Sequence, residues 1–157
     1  MQKIITCLWF DDQAEEAAAF YTSLLPDSRV TRTNHYGEAG PRPAGSVMTV
    51  EFELAGRAYV ALNGGPEFHF TEAVSLQVVC EDQQEVDRLW ARLTADGGQP
   101  GPCGWLKDRY GLSWQITPRV LLDLVAGEDR ARADRVFAAM LRMHKIEIQP
   151  LLDAAEG

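Results

Sequence analysis

The sequence predicts an α+β fold in which two tandem βαβββ modules are followed by a C-terminal helical tail. A ten-residue segment recurs at an offset of 70 residues, each copy leads into an amphipathic helix, and each helix is followed by segments of strand length. The predicted boundaries are residues 1–66 for the first module, 67–118 for the second and 119–157 for the tail. We expect them to form one structural domain overall.

The repeated segment reads TCLWFDDQAE at residues 6–15 and LQVVCEDQQE at residues 76–85. In both copies an apolar run of strand length ends in an acidic pair. Strand-to-helix corners look alike in many α/β proteins, which is the alternative explanation. The polar positions coincide in register as well as the apolar ones, and this favours a duplication within the chain.

A helix is predicted to begin within each copy, at the second residue of its acidic pair. Asp12 and Asp82 occupy the N-cap positions, and Glu15 and Glu85 follow three residues later. This is the spacing of a capping box, in which the cap accepts a backbone N–H and the glutamate reaches back. The apolar helix stripes are Ala17, Phe20, Tyr21 and Leu24 in the first module and Val86, Leu89, Trp90 and Leu93 in the second.

Alternating segments after each helix predict strands, and a helical pattern resumes after Pro118. The loop 36–45, with three glycines and two prolines, is predicted to be flexible. In the tail, an apolar stripe is expected to pack on the body or on a partner subunit. The predicted strands are 29–33, 47–54, 58–62, 103–107 and 112–117; the tail helices are 120–125, 129–143 and 146–155; and the stripe is Val136, Ala139, Met140 and Met143.

Composition narrows the class of function. The chain has 157 residues and a formal net charge of −8, which disfavours nucleic acid and anionic membranes as partners. No apolar stretch approaches the roughly 18 residues of a membrane span, and the amino end does not resemble a secretory signal. Three cysteines without a CxxC pair argue against a disulfide framework. We therefore expect a reduced, cytoplasmic protein.

The segments LWFDDQAEEAAAFYTSLLPDSRV and CGWLKDRYGLSWQITP make the chain similar to a known family over roughly residues 3–155. It resembles the vicinal oxygen chelate superfamily, which includes glyoxalase I, extradiol dioxygenases and bleomycin-resistance proteins. Within it, the chain looks like the PhnB-like branch, often labelled 3-demethylubiquinone-9 3-methyltransferase. The resemblance implies that the paired modules form a cavity and that the protein is a homodimer.

Metalloenzymes of this superfamily use four His, Glu or Gln side chains, two from each module. By motif position, the corresponding residues are near Thr6, Val60, Ser75 and Gln115. Hydroxyl and hydrocarbon side chains do not hold Zn²⁺, Ni²⁺ or Fe²⁺, and one neutral amide cannot assemble a divalent site. We therefore expect no metal ligands and no cofactor.

The methyltransferase label has little support in the residues. A protein that binds S-adenosylmethionine normally carries a glycine-rich turn after a strand and an acidic residue for the ribose. Neither GxGxG nor GxGxxG occurs among the thirteen glycines.

Aromatic side chains fall at predicted strand ends and in the connecting loops, and three amides are uncharged hydrogen-bonding candidates, as expected for a cavity that binds a small, partly aromatic molecule. Lys107 and Asp108 are candidates for charges at the rim of that cavity, with a solvated turn as the alternative. Barrel packing is the alternative for Trp105 and Trp114, and a satisfied buried amide for Gln115. The candidate ligand-binding residues are Trp9, Asn63, Phe68, Gln77, Trp105, Trp114 and Gln115.

Three functions remain open from the sequence. The first is a metal-independent protein that binds or sequesters a small molecule. The second is a metal-dependent enzyme of the glyoxalase or dioxygenase type, which would use Gln115, Asn63 or an acquired metal. The third is an interaction module without a ligand, and the methyltransferase reading ranks below these. The catalytic residues and the ligand stay unassigned.

Overall fold

The structure, a computed structural model, describes residues 2–157, so that Met1, where the first module was predicted to begin, lies outside it. The chain folds into two compact units, one ending at His69 and the other running from Phe70 to Gly157. Each unit contains one four-stranded sheet. No helix of the described residues is long and apolar enough to cross a membrane.

The first unit has the predicted order of strand, helix and three strands. In its sheet the order is β1-β4-β3-β2, with β1 parallel to β4 and the other neighbours antiparallel. The elements are β1 (Thr6–Phe10), α1 (Ala14–Thr22), β2 (Arg29–His35), β3 (Val47–Leu54) and β4 (Arg57–Asn63).

Alternation along β3 decides which face of this sheet is covered. Val50, Phe52 and Leu54 are buried, whereas the residues between them are half-buried. Helix α1 packs against β3 and β4, and its Tyr21 ring lies 6.3 Å from that of Phe52. The predicted period of two is therefore confirmed for β3, because one side of a strand meets the helix and the other does not.

The predicted cap at Asp12 is wrong. The N-cap of α1 is Gln13, and the N–H of Ala14 donates to Asn63 Oδ1 at 2.8 Å. Phe10 and Asn63 are register partners at the ends of β1 and β4, so the Asn63 side chain reaches the turn that follows β1. Asn63 Nδ2 also donates to the carbonyl of Val47 at 3.2 Å. A long-range amide thus takes the place of the local carboxylate.

The second unit repeats the pattern and adds three helices. Its sheet order is β5-β8-β7-β6, with β5 parallel to β8 and the other neighbours antiparallel. The elements are β5 (Ser75–Cys80), α2 (Gln83–Thr94), β6 (Gln99–Pro100), β7 (Trp105–Lys107), β8 (Ser113–Pro118), α3 (Arg119–Ala126), α4 (Arg130–Met140) and α5 (Ile148–Glu156).

The predicted capping box of α2 is confirmed. The N–H of Glu85 donates to Asp82 Oδ1 at 2.8 Å, and Glu85 Oε2 accepts from the N–H of Glu81 at 2.8 Å. Both acceptors lie within four residues of their donors, so this helix start is specified locally. The inward stripe of α2 is fully buried at Val86, Leu89 and Leu93.

Asp108 does not lie at a rim, and for this residue the solvated-turn alternative is wrong as well, because the residue is only 2 % exposed. Asp108 Oδ1 accepts from the backbone N–H groups of Tyr110 and Leu112, at 2.8 and 3.1 Å. Its Oδ2 accepts from Trp114 Nε1 at 2.9 Å. The carboxylate closes the β7–β8 turn and satisfies a buried indole, so it is part of the framework.

The tail covers its own apolar stripe. Val136 is fully buried, and Ala139, Met140 and Met143 pack against the same cluster. The stripe therefore supplies no argument for a partner subunit. Gln83 of α2 fastens the tail, because its Nε2 donates to the carbonyl of Ile146 at 3.0 Å and its Oε1 accepts from the N–H of Ile148 at 2.7 Å. The buried members of the cluster are Leu121, Val136, Ile146, Leu151 and Ala155.

The start of α1 gives the first prediction. Asn63→Ala leaves the Ala14 N–H and the Val47 carbonyl without their partner, so the free energy of unfolding should fall by about 1–3 kcal/mol. Asp12→Ala is the control, since Asp12 is exposed and lies at the start of α1, where a carboxylate gains only from the helix dipole; the change should cost less than about 1 kcal/mol. Urea denaturation measures both values. If Asp12→Ala lowers the free energy of unfolding more than Asn63→Ala does, Asp12 is the functional N-cap of α1 after all.

Candidate functional site

The seven predicted site residues fall in both units. Three of them, Trp9, Asn63 and Phe68, belong to the first unit. The other four, Gln77, Trp105, Trp114 and Gln115, belong to the second. The structure gives these residues three different environments: an aromatic pair, framework positions and a row of amides.

Trp9 and Phe68 form the aromatic pair of the first unit. Their ring centroids are 4.9 Å apart at an interplanar angle of 79°, an edge-to-face contact. Trp9 Nε1 donates to the carbonyl of Gly65 at 2.9 Å. A Cβ at Gly64 would lie 2.3 Å from the indole, so only glycine allows the ring to approach the backbone there. Phe68 is 62 % exposed and offers an apolar surface to solvent.

Asn63 and Trp114 are framework residues. Both ends of the Asn63 amide are bonded to the backbone, at Ala14 and Val47, and the residue is 6 % exposed. Trp114 is 1 % exposed and its indole N–H is bonded to Asp108. Their side-chain polar groups already form hydrogen bonds within the protein, so they have little capacity to bind a ligand.

Polar residues gather on the face of the second sheet that turns away from α2. Leu106, Trp114 and Ile116 are buried on the helix side, and the alternate residues of the same strands form the opposite side. Two cross-strand rows result, because paired residues share a face. We call this surface the amide face; its first row is Gln77, Gln115 and Trp105, and its second row is Ser75, Ser113 and Lys107.

Hydrogen bonds connect the amide face internally. Gln115 Nε2 donates to Ser75 Oγ at 2.9 Å. Gln77 Nε2 lies 3.3 Å from Thr117 Oγ1 and 3.5 Å from Gln115 Oε1. Gln77 is exposed, while Gln115 and Trp105 are half-buried. The row therefore presents neutral donors and acceptors beside an indole.

A small pocket opens at the β6–β7 side of the amide face. Its volume is about 220 Å³. Lys107 forms an ion pair there with Glu72, and the hydrogen bond from Lys107 holds the pKa of the Glu72 carboxyl below its usual value. We call it the Lys107 pocket; it is lined by Glu72, Gln99, Pro100, Gly101, Pro102, Trp105, Leu106, Lys107 and Ser113.

A second, larger space of about 640 Å³ lies at the start of α1. Its lining is strongly acidic and includes Asp12, Glu15 and Glu16. The Asn63 amide that borders it is already bonded to the backbone. Acidic side chains that point to solvent at a helix start suit the positive end of the helix dipole.

The four positions that correspond to the superfamily's metal ligands do not form a donor set. Val60 is a hydrocarbon, Thr6 and Ser75 carry neutral hydroxyls, and the Gln115 amide is hydrogen-bonded to Ser75. Within residues 2–157, no three His, Cys, Asp or Glu side chains come together in a way that could hold a metal ion. Neutral hydroxyls and one amide do not fit a divalent transition metal.

Sequence reasoning missed Glu72 and Ser113, and it named Ser75 only as a position that matches a metal ligand of the superfamily. The signal for Ser113 was present, since a period of two along β8 places it on the same face as Gln115. Glu72 precedes the strand, and only the fold brings its carboxylate to Lys107.

Comparison with known proteins agrees with this architecture. The family model described as 3-demethylubiquinone-9 3-methyltransferase matches residues 2–117. A PhnB protein from Bacillus cereus, which carries the same methyltransferase name, is 37% identical over 74% of this chain and 99% of its own, with a TM-score of 0.66. No curated protein matches significantly.

More distant structures share the fold alone. Protein PA1353 from Pseudomonas aeruginosa is 20% identical over 75% of this chain and 98% of its own, with a TM-score of 0.61. The fosfomycin resistance protein FosX from Listeria monocytogenes is 13% identical over 75% of this chain and 93% of its own, with a TM-score of 0.51. The chain therefore belongs to the 3-demethylubiquinone-9 3-methyltransferase family and is PhnB-like.

Proposed function

We propose that this protein binds a small molecule with an aromatic ring on the amide face, without a metal ion. The observation that carries the proposal is the row Gln77–Gln115–Trp105, which crosses three strands on the face away from α2. A flat indole beside neutral hydrogen-bonding groups is the usual composition of a small-molecule site.

The amides retain capacity for a ligand. A glutamine side chain has two N–H donors and an oxygen with two lone pairs. Gln115 uses one donor on Ser75 and receives only a long contact from Gln77. The bonds to Ser75 and Thr117 fix the direction of both amides, and this lowers the entropy that a ligand must overcome on binding.

A metal-dependent enzyme of the same fold is the second candidate, and the donor chemistry disfavours it. The positions that correspond to the superfamily's metal ligands carry one amide, two hydroxyls and one hydrocarbon side chain in this chain. The amide already donates a hydrogen bond to Ser75. A metal-activated water needs an ion held by anionic or imidazole ligands. The side chains at these positions therefore do not support chemistry on a metal ion.

Methyl transfer, which the family name suggests, has little support in the strand-to-helix corners. The corner between β1 and α1 reads Asp11-Asp12-Gln13, and the corner between β5 and α2 reads Glu81-Asp82. Acidic side chains occupy the positions where a nucleotide-binding corner has glycines that let the backbone approach. The amide face is the better-equipped surface of the chain.

Phenylacetamide, a neutral single-ring probe, tests the binding site. Trp105→Ala should weaken its binding at least tenfold, because the indole supplies apolar contact. Gln115→Leu should weaken it about two- to tenfold, the value of one hydrogen bond. Titration followed by NMR chemical shifts gives Kd for each variant.

Matched controls are available on other surfaces of the second unit. Trp90→Ala changes an indole on α2, and Gln149→Leu changes an exposed amide on α5; both should leave Kd within twofold of the unchanged protein. If the controls weaken binding as much as Trp105→Ala and Gln115→Leu, the probe does not bind on the amide face.

Titration with Zn²⁺ tests metal independence. Calorimetry should detect no 1:1 site of micromolar or tighter affinity, and tenfold excess Zn²⁺ should raise Tm by less than about 1 °C, since only binding to the native state stabilises it. The Kd of phenylacetamide should be the same with and without EDTA. A stoichiometric site, or binding lost in EDTA, would favour the metal-dependent enzyme.

A further inference from the structure

We propose that the Lys107 pocket receives a carboxylate, so that the ligand of the amide face is a small aromatic acid. Lys107 and Ser113 are the groups that bind this carboxylate. The inference rests on the proposed function, because it names the class of molecule that the same face takes.

The first support is an unsatisfied hydroxyl. Ser113 is 1 % exposed, and among the described residues its Oγ has no hydrogen-bond partner. A buried polar group without a partner costs free energy, and most such groups in folded proteins are satisfied. Ser113 lines the pocket, so an acceptor atom placed there recovers that cost.

The second support is the cation beside it. Lys107 and Ser113 are register partners on β7 and β8, and they share the amide face. The Lys107 ammonium already holds the carboxylate of Glu72, which precedes β5. Glu72 shows that a carboxylate can reach this ammonium, and it acts as an internal competitor for the site.

The pair between Lys107 and Glu72 is easily exchanged. The Glu72 side chain is 63% exposed and that of Lys107 is 37% exposed. Ion pairs at this exposure contribute little, because water screens the charges and both side chains lose freedom. A ligand that also satisfies Ser113 and contacts Trp105 offers interactions that Glu72 does not make.

The walls of the pocket suit a single ring. Pro100, Pro102 and Trp105 supply apolar surface. The volume of about 220 Å³ exceeds the roughly 150 Å³ that holds benzene and lies below that of drug-sized sites. Trp105 and Lys107 are two residues apart on one strand, about 7 Å, so a ring on the indole and a carboxylate at the ammonium fit one short molecule.

Because the protein is negatively charged overall, the Lys107 ammonium should determine whether the pocket prefers an acid to a neutral molecule. A protein with a net charge of −8 repels anions over most of its surface. A preference for an acid over its neutral counterpart must therefore come from a local positive group. Lys107 is the lysine that lines the pocket.

Phenylacetate and phenylacetamide, which have the same shape and differ in charge, separate this inference from the proposed function. The protein should bind the acid at least fivefold more tightly than the amide. Lys107→Met should weaken binding of the acid at least tenfold and binding of the amide less than twofold. Lys3→Met is the control for net charge in the other unit and should leave both Kd values within twofold.

Two further variants test the pocket itself. Glu72→Gln should tighten binding of the acid two- to fivefold, since it removes the internal competitor. Ser113→Ala should weaken binding of the acid two- to fivefold. Its Tm should stay equal or rise, because the variant removes an unsatisfied hydroxyl. A purely structural serine would lower Tm and leave Kd unchanged.

The outcomes are distinguishable. Equal affinity for acid and amide, or an acid preference that survives Lys107→Met, overturns the carboxylate inference and leaves the proposed function standing. If neither probe binds, or if Trp105→Ala changes neither Kd, the proposed function fails together with it.

Discussion

The parallel pairing of the first and last strands of each module is the constraint on which the rest of the structure depends. It brings residues 38 positions apart in the second module and 53 positions apart in the first to the same point of a sheet, as with Gln77 beside Gln115 and Phe10 beside Asn63. Alternation then sorts each strand into a helix side and an opposite side. In the second unit, the opposite side collects the amides and hydroxyls, so the candidate site is a product of register more than of any local motif.

Local signals predicted the elements well and their long-range partners poorly. The alternation of β3 and the Asp82 capping box follow from neighbouring residues, and both are confirmed. The start of α1 was mispredicted because Asn63, 49 residues away from Ala14, provides the acceptor. Asp108 was mispredicted because its role depends on tertiary structure. Pairing of β7 and β8 buries the Trp114 indole, whose N–H then needs the Asp108 carboxylate as an acceptor.

The candidate site was predictable in part for the same reason. Residue type and strand position identified Gln77, Gln115 and Trp105, and the fold brings them into one row. The sequence did not reveal that Ser113 is left without a partner or that Glu72 meets Lys107. The family name describes a shared fold, and a fold alone does not determine the chemistry of its site.

The two helix starts differ in what they require while the chain is still folding. Helix α2 closes its first turn with Asp82 and Glu85, which are present as soon as that segment emerges. Helix α1 depends on the last residue of β4, so its first turn is completed only after the sheet has assembled around it. The two modules thus differ at the same corner in the sequence separation of the contact that completes the helix start, which is 3 residues in the second module and 49 in the first.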